Sequence, residues 1–200
     1  MLFRSWLAPE SLVQAMVPLL RARGFSRVLD VGCGLGRHAH HLAAHGFVCS
    51  GIDASQTGLD YARGVAAAAG LSIDYRVGPF YELPYANQSF DGLIAWNVIY
   101  HGDGDVVQRA IAEFARVLVP GGIYVGTMLS RRNREYGQGR EIRQHTFVVD
   151  EATDDKVHPH FYADATTVLS LHRGFEVLDL RDHAQAPGAN HWQFTFERQA

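Results

Sequence analysis

The stretch Val28-Leu29-Asp30-Val31-Gly32-Cys33-Gly34-Leu35-Gly36-Arg37-His38 decides how this chain is read. Arg27 to Gly32 is a short apolar run ending in glycine, the pattern of a buried strand. Leu35 to His45 then places Leu35, Ala39, Leu42 and Ala43 on one face of a helix. Between the two, glycines let the backbone turn tightly and let a ligand approach the main chain. The helix start presents N–H groups that have no partner within the helix. A dinucleotide site needs Gly-x-Gly-x-x-Gly at such a turn. Here Arg37 follows Gly36, so the spacing is Gly-x-Gly-x-Gly. Asp30, two residues before the first glycine, would repel a pyrophosphate and attract an ammonium group.

Outward from this turn, strand and helix patterns alternate. Phe47 to Asp53 reads as a second strand, and Ser55 to Ala69 as a helix with Ser55 as its N-cap. Ile73 to Val77 and Phe90 to Trp96 read as strands, Asp105 to Val117 as a helix, and Ile123 to Met128 as a fifth strand. Such alternation implies βαβ units and a mainly parallel sheet. Upstream, Leu12, Met16, Leu19 and Leu20 recur at helical spacing between Pro9 and Arg23. Downstream, Ala163 to His172 looks helical, and Phe175 to Leu180 and His191 to Arg198 look like strands. The short connection Ala186-Pro-Gly-Ala-Asn makes that last pair antiparallel, with Trp192, Phe194 and Phe196 on one face of the final strand. Ser130 to Phe161 is the least regular part and is expected to be a lid or insert. The reading is one α/β domain over residues 1–200: an N-terminal helix in 1–24, a core in 25–129, the insert in 130–162, and a C-terminal helix and strand pair in 163–200.

Composition narrows the function classes. Of 200 residues, 47% are hydrophobic and 20% charged, which is globular usage. Eighteen basic residues against 21 acidic give a net charge of −3, and Lys156 is the sole lysine. A nucleic-acid partner held mainly by charge needs a surplus of Lys and Arg. Cys33 and Cys49 are too few for a disulfide framework and wrongly spaced for zinc, which points to a reducing cytoplasm. The first ten residues have too short an apolar core for a signal peptide, and no stretch approaches a membrane span.

Asp53 ends the second strand, where a carboxylate can take both hydroxyls of a ribose. With Asp30 and Asp53 on neighbouring strand ends, the chain resembles the class I S-adenosylmethionine-dependent methyltransferases. The matching blocks are Val28-Leu-Asp-Val-Gly-Cys-Gly-Leu-Gly-Arg-His, Gly51-Ile-Asp-Ala-Ser, Leu83-Pro-Tyr with Ser89-Phe-Asp, and Arg116-Val-Leu-Val-Pro-Gly-Gly. Gly-Arg-His after the turn and the compact size look similar to small bacterial enzymes of the type 11 and tellurite-resistance kinds. The resemblance implies a Rossmann-like, mostly parallel seven-stranded sheet with helices on both faces and an antiparallel last strand. It implies S-adenosylmethionine as cofactor and S-adenosylhomocysteine as product. Asp30 and the main chain at Gly32, Cys33 and Gly34 would hold the methionine end, and Gly36 would allow close helix–strand packing. Asp53 would take the ribose and Ala54 would pack on the adenine. Relatives usually carry an acidic residue after the third strand, where this chain has Gly78-Pro79-Phe80-Tyr81-Glu82. Proline supplies no carboxylate, so the adenine amine falls to the Phe80 backbone, Tyr81 or Glu82. Asn97, or its carbonyl, would sit near the methionine moiety, and Trp96 reads as packing.

Methyl transfer from a sulfonium is an in-line displacement, which alignment can accelerate without a base unless the acceptor must lose a proton. His101, just past the fourth strand, is the candidate base; its plainer role is to line the pocket or to cap Asp103. His38, His40, His41 and His45 lack a third ligand at helical spacing, so they read as a solvated face and no metal site is expected. His158-Pro-His160-Phe-Tyr162 reads as pocket lining or structure. Arg131, Arg132, Arg134, Arg140 and Arg143 read as a solvated charge run, with attraction of an anionic small acceptor as the alternative. Tyr136, Phe161 and Trp192 are candidates for an aromatic wall. The expected function is methyl transfer to a small molecule. A nucleic-acid methyltransferase is disfavoured because Asn97-Val-Ile-Tyr stands where base-amine enzymes carry Asn/Asp-Pro-Pro-aromatic, and a non-catalytic cofactor-binding module is the other alternative.

Overall fold

The computed structural model describes residues 8–150 and 158–200. Residues 1–7 and 151–157 lie outside the described residues, and with them most of the first ten residues read above and Lys156. Helix α1 spans Ser11–Ala22. It is followed by β1 (Arg27–Val31), α2 (Arg37–Ala44), β2 (Val48–Asp53), α3 (Gln56–Ala68) and β3 (Ile73–Val77). Then come β4 (Phe90–Ala95), α4 (Gly104–Val117) and β5 (Leu118–Ser130). The chain ends with β6 (Arg140–Arg143), β7 (Thr146–Val148), β8 (His160–Ala163), α5 (Ala165–Leu171), β9 (Phe175–Ala184) and β10 (Asn190–Arg198).

Strands β3-β2-β1-β4-β5 form a parallel sheet in that order. On its far edge β10 runs antiparallel to β5, and β9 pairs with β10. These seven strands are the expected sheet with its antiparallel last strand. Period-two alternation decides which face each side chain serves. Leu29 and Val31 pack with Val107, Ile111 and Phe114 of α4. Val28 packs on the other face with Met16 and Leu20 of α1, Leu42 of α2 and Leu59 of α3. Helices therefore cover both faces, as parallel strands require.

Local chemistry sets the element ends. Ser55 caps α3 by accepting from the Gly58 N–H at 3.1 Å, as its sequence position predicts. Asp103 caps α4 by accepting from the Asp105 and Val106 N–H groups. Helix α2 starts two residues later than the periodicity suggests, because Gly36 at φ 80° is its left-handed first flank.

The insert is more regular than expected. Strands β6, β7 and β8 form a small antiparallel ladder. Strand β8 pairs with β5 only at Leu129 and Ser130. Strand β4 has by then ended, with Ala95 opposite Gly126. The insert thus occupies the berth beside β5 that β4 vacates, directly above the end of β4. These strands have four, three and four residues, too short for alternation to show, and β6 is exposed throughout.

Candidate functional site

The turn after β1 is built by three left-handed glycines, with φ of 65° at Gly32, 51° at Gly34 and 80° at Gly36. Gly32 is also needed for space, since a Cβ there would lie 2.4 Å from Val98 Cγ2. At Gly36 a Cβ would lie 2.4 Å from the Tyr75 hydroxyl oxygen, so this glycine lets α2 close onto β3. The Gly32 and Cys33 N–H groups donate to the Ile52 carbonyl, which ties the turn to β2. Asp53 completes the tie: Oδ2 accepts from the Gly34 N–H at 2.8 Å and Oδ1 from the Ser55 N–H at 2.8 Å. One carboxylate therefore fixes both loops that follow β1 and β2. Cys33 is buried, and burial beside Asp30 and Asp53 pushes its thiol far up, so it is no nucleophile.

Asp30 is buried beneath the turn. It shares the Val28 face of β1, points under the turn, and accepts from the Ala39 N–H of α2 at 3.2 Å. Gly36 has no side chain with which to cap α2, and Asp30 supplies that cap from the neighbouring strand. Burial raises its pKa to about 7, against the opposing pull of the Ala39 amide and Arg37. His38 is buried beside it, which corrects the solvated-face expectation; it lies one turn before Leu42 and so shares the apolar stripe. Burial lowers its pKa to about 3. Its Nδ1 is 3.9 Å from Asp30 Oδ1, too long for a hydrogen bond, and desolvation outweighs pairing. His40 bonds the Ala62 carbonyl at 3.0 Å.

Past β4 the chain turns through Asn97, which is left-handed at φ 56°. Its N–H donates to Thr127 Oγ1 at 2.7 Å, and the Thr127 hydroxyl donates back to Asn97 Oδ1 at 3.0 Å. His101 Nε2 lies 3.2 Å from the Asn97 carbonyl. The His101 ring meets the His160 ring edge-on at 4.7 Å, and residues 101 and 160 form an antiparallel bridge.

A cavity of about 200 Å³ opens between these loops, lined by Gly32, Ile52, Asp53, Ala54, Gly78, Phe80, Val98 and His101. Of the residues expected from sequence, it gathers Gly32, Asp53, Ala54, Phe80 and His101. Asp30, Cys33, Gly34, Gly36, Tyr81 and Asn97 do not line it. Tyr81 meets the Phe80 ring edge-on and carries the Arg109 guanidinium 4.8 Å above its own ring, and Glu82 is exposed. Ile52, Gly78 and Val98 were not singled out, although Ile52 and Val98 directly adjoin residues that were. Thr127, brought from β5, gave no local signal at all.

The insert's arginines are engaged. Arg131 pairs with Asp164, Arg132 with Asp182 and Arg140 with Asp150, while Arg143 bridges Asp103 and Asp105. Arg134 donates to the Pro187 carbonyl at 3.4 Å. The three candidate wall aromatics separate. Tyr136 joins Phe147 and Tyr162, Phe161 enters the α4-side core, and Trp192 donates to the Ala163 carbonyl at 2.9 Å. Among the described residues no three His, Cys, Asp or Glu side chains meet as a metal would require. No helix among them is long and apolar enough to cross a membrane.

Residues 28–122 match the methyltransferase domain family. The ubiquinone biosynthesis O-methyltransferase of Brucella anthropi is 35% identical over 112 residues, 56% of this chain and 44% of that protein. This chain thus spans less than half the length of that curated relative. A solved protein from Pyrococcus horikoshii OT3 superposes with a TM-score of 0.75 at 21% identity, over 94% of this chain and 90% of the other. The 1,6-didemethyltoxoflavin-N1-methyltransferase of Burkholderia thailandensis, solved with 1,6-didemethyltoxoflavin and S-adenosylhomocysteine bound, gives a TM-score of 0.72 at 18% identity, over 96% of this chain and 80% of the other. Glycine turn, strand-end carboxylate, sheet order and matched segment agree: over residues 28–122 the chain is similar to the methyltransferase domain family, and it shares its fold with these solved neighbours.

Proposed function

We propose that this protein transfers the methyl group of S-adenosylmethionine to a small-molecule acceptor. The observation that carries the reading is the Asp53 carboxylate at the mouth of a cavity walled by Gly32, Ala54 and Phe80. A ribose fits the carboxylate and an adenine fits between Ala54 and Phe80. At about 200 Å³ the cavity is smaller than the roughly 300–1,000 Å³ of a drug-sized site. It suits the nucleoside part, with the methionine end running toward Gly32 and the turn. Asp53 already holds the Gly34 and Ser55 amides, so ligand and loops share one anchor. Asp30 acts at one remove, holding α2 in place under the methionine end. Phe80, not Tyr81, serves the adenine.

When bound, the cofactor supplies a methyl on a good leaving group, and the protein's share is alignment and, for a protic acceptor, removal of a proton. His101 lines the cavity and is the residue we assign to face the acceptor. The described residues form one domain, with β6, β7 and β8 roofing the end of β4. No anionic preference is assigned to the acceptor, since the five insert guanidiniums are each held by a carboxylate or carbonyl. Relatives named for quinone and toxoflavin chemistry support a flat small molecule as acceptor. Two buried free thiols suit the reducing cytoplasm.

The test combines calorimetry with transfer. Asp53→Ala should weaken S-adenosylhomocysteine binding by about 1.5–3 kcal/mol, the size of hydrogen bonds to a charged group. Unchanged affinity overturns the ribose assignment. Isotopic methyl transfer to a panel of phenols, catechols, N-heteroaromatics and thiols should label at least one acceptor. Tight cofactor binding with no labelled acceptor in any class would favour a binding module instead.

A further inference from the structure

We infer that Thr127 is a positioning residue that sets the tautomer and orientation of His101 through Asn97. The inference rests on the reading of His101 as the acceptor-facing group. A left-handed non-glycine residue is uncommon and persists where its surroundings over-determine it. Asn97 is such a residue, at φ 56°. What holds it is a two-way bond with one hydroxyl: Thr127 Oγ1 accepts the Asn97 N–H at 2.7 Å and donates to Asn97 Oδ1 at 3.0 Å. Thr127 is fully buried on β5, so this hydroxyl is held by the sheet itself.

The consequence appears on the Asn97 carbonyl. It lies 3.2 Å from His101 Nε2. A carbonyl only accepts, so Nε2 carries the proton. In the neutral ring the lone pair then belongs to Nδ1, which becomes the proton-accepting nitrogen. The side chain of a residue on the next strand in sequence thereby bears on which nitrogen of His101 is basic. An ordinary type of turn at Asn97 would swing this carbonyl away and release the ring. Serine preserves the hydroxyl and valine preserves the shape without it, so the two substitutions separate bonding from packing.

The experiment records ¹⁵N shifts of the imidazole nitrogens, assigned by the His101→Gln variant, in wild type, Thr127→Val and Thr127→Ser, with S-adenosylhomocysteine as the bound probe. Wild type and Thr127→Ser should show His101 in the Nε2–H form, and Thr127→Val a mixture. With the panel acceptor that wild type labels fastest, Thr127→Val should lower kcat by about 10- to 100-fold, a misplacement effect, with KM for S-adenosylmethionine unchanged. Thr127→Ser should restore kcat. An Nδ1–H ring in the wild type overturns the inference without any variant. A pure Nε2–H ring in folded Thr127→Val also overturns it. Normal turnover by His101→Gln would sink the acceptor-facing role separately, and the tautomer measurement would still judge the Thr127 link.

Discussion

At the scale of single residues, Asp30 and His38 show burial winning over pairing. Both are neutral in the folded protein near pH 6, one because its pKa is raised and the other because it is lowered. Their effects on stability have opposite signs. Asp30 moves from 3.8 to about 7, so the folded state holds a proton that the unfolded chain releases as pH rises above 3.8. Its contribution is full below pH 3.8 and is lost as pH rises toward 7. His38 moves from 6.5 to about 3, so its contribution is full above pH 6.5 and is lost as pH falls toward 3. Between about pH 4 and 6.5 the two slopes oppose each other. Asp30→Asn keeps an oxygen for the Ala39 N–H and removes only the falling slope. The stability of this variant relative to wild type should therefore climb from pH 4 to 7, by up to about 4 kcal/mol. Urea unfolding at four pH values checks this, and parallel curves would mean that Asp30 is ionised in the native state. Alternation along β1 already placed Asp30 with Val28 rather than toward Val31, a hint that its motif position obscured.

At the scale of elements, two of the sequence blocks turn out to be one device. Arg116, near the end of α4, donates to the carbonyls of Leu83 and Tyr85 and to Asn87 Oδ1, and it pairs with Glu113. Glu113 in turn accepts from the Leu83 N–H at 2.7 Å. The Arg116 guanidinium beside it, helped by the Leu83 amide, holds the Glu113 carboxyl below its ordinary range. Leu83-Pro-Tyr is thus the loop that α4 holds, and Phe80 enters the cavity from the same loop. Arg116→Gln should cost about 1.5–3 kcal/mol of stability and should also weaken S-adenosylhomocysteine binding severalfold, because Phe80 loses its footing. Chemical denaturation and calorimetry on one preparation test both parts; wild-type values for both would reduce Arg116 to a surface charge. Elements of this length were legible because their burial repeats. Five buried residues of α4, Val107, Ala110, Ile111, Phe114 and Val117, mark one helical face. The ladder β6-β7-β8 was not legible, since three or four residues carry no period and β8 joins the main sheet through β5, far away in the chain.

For the whole molecule, the parallel core was readable because each βαβ unit is local, and the cavity was readable wherever its lining sat beside a motif residue. Asp53, Ala54 and Phe80 come from the loops after β2 and β3, where a doubly wound sheet places ligands. Thr127 acts on that site only through folding. One consequence concerns the entire domain. A ligand that ties the loops after β1, β2, β3 and β4 binds the folded state alone and must stabilise it as a unit. At about 100 times its Kd, S-adenosylhomocysteine should add about 2.7 kcal/mol. For a domain of this size that corresponds to a rise in Tm of about 5–11 °C. A reduced nicotinamide dinucleotide at the same concentration should leave Tm where it was. The Gly-x-Gly-x-Gly spacing brings Arg37 where a pyrophosphate turn needs another residue before its last glycine, and Arg37 is already bound to Glu10 and the Ala8 carbonyl. A thermal rise with the dinucleotide and none with S-adenosylhomocysteine would reverse the assignment of the turn. A rise with S-adenosylhomocysteine that survives undiminished in Asp53→Ala would keep the ligand and move its ribose elsewhere.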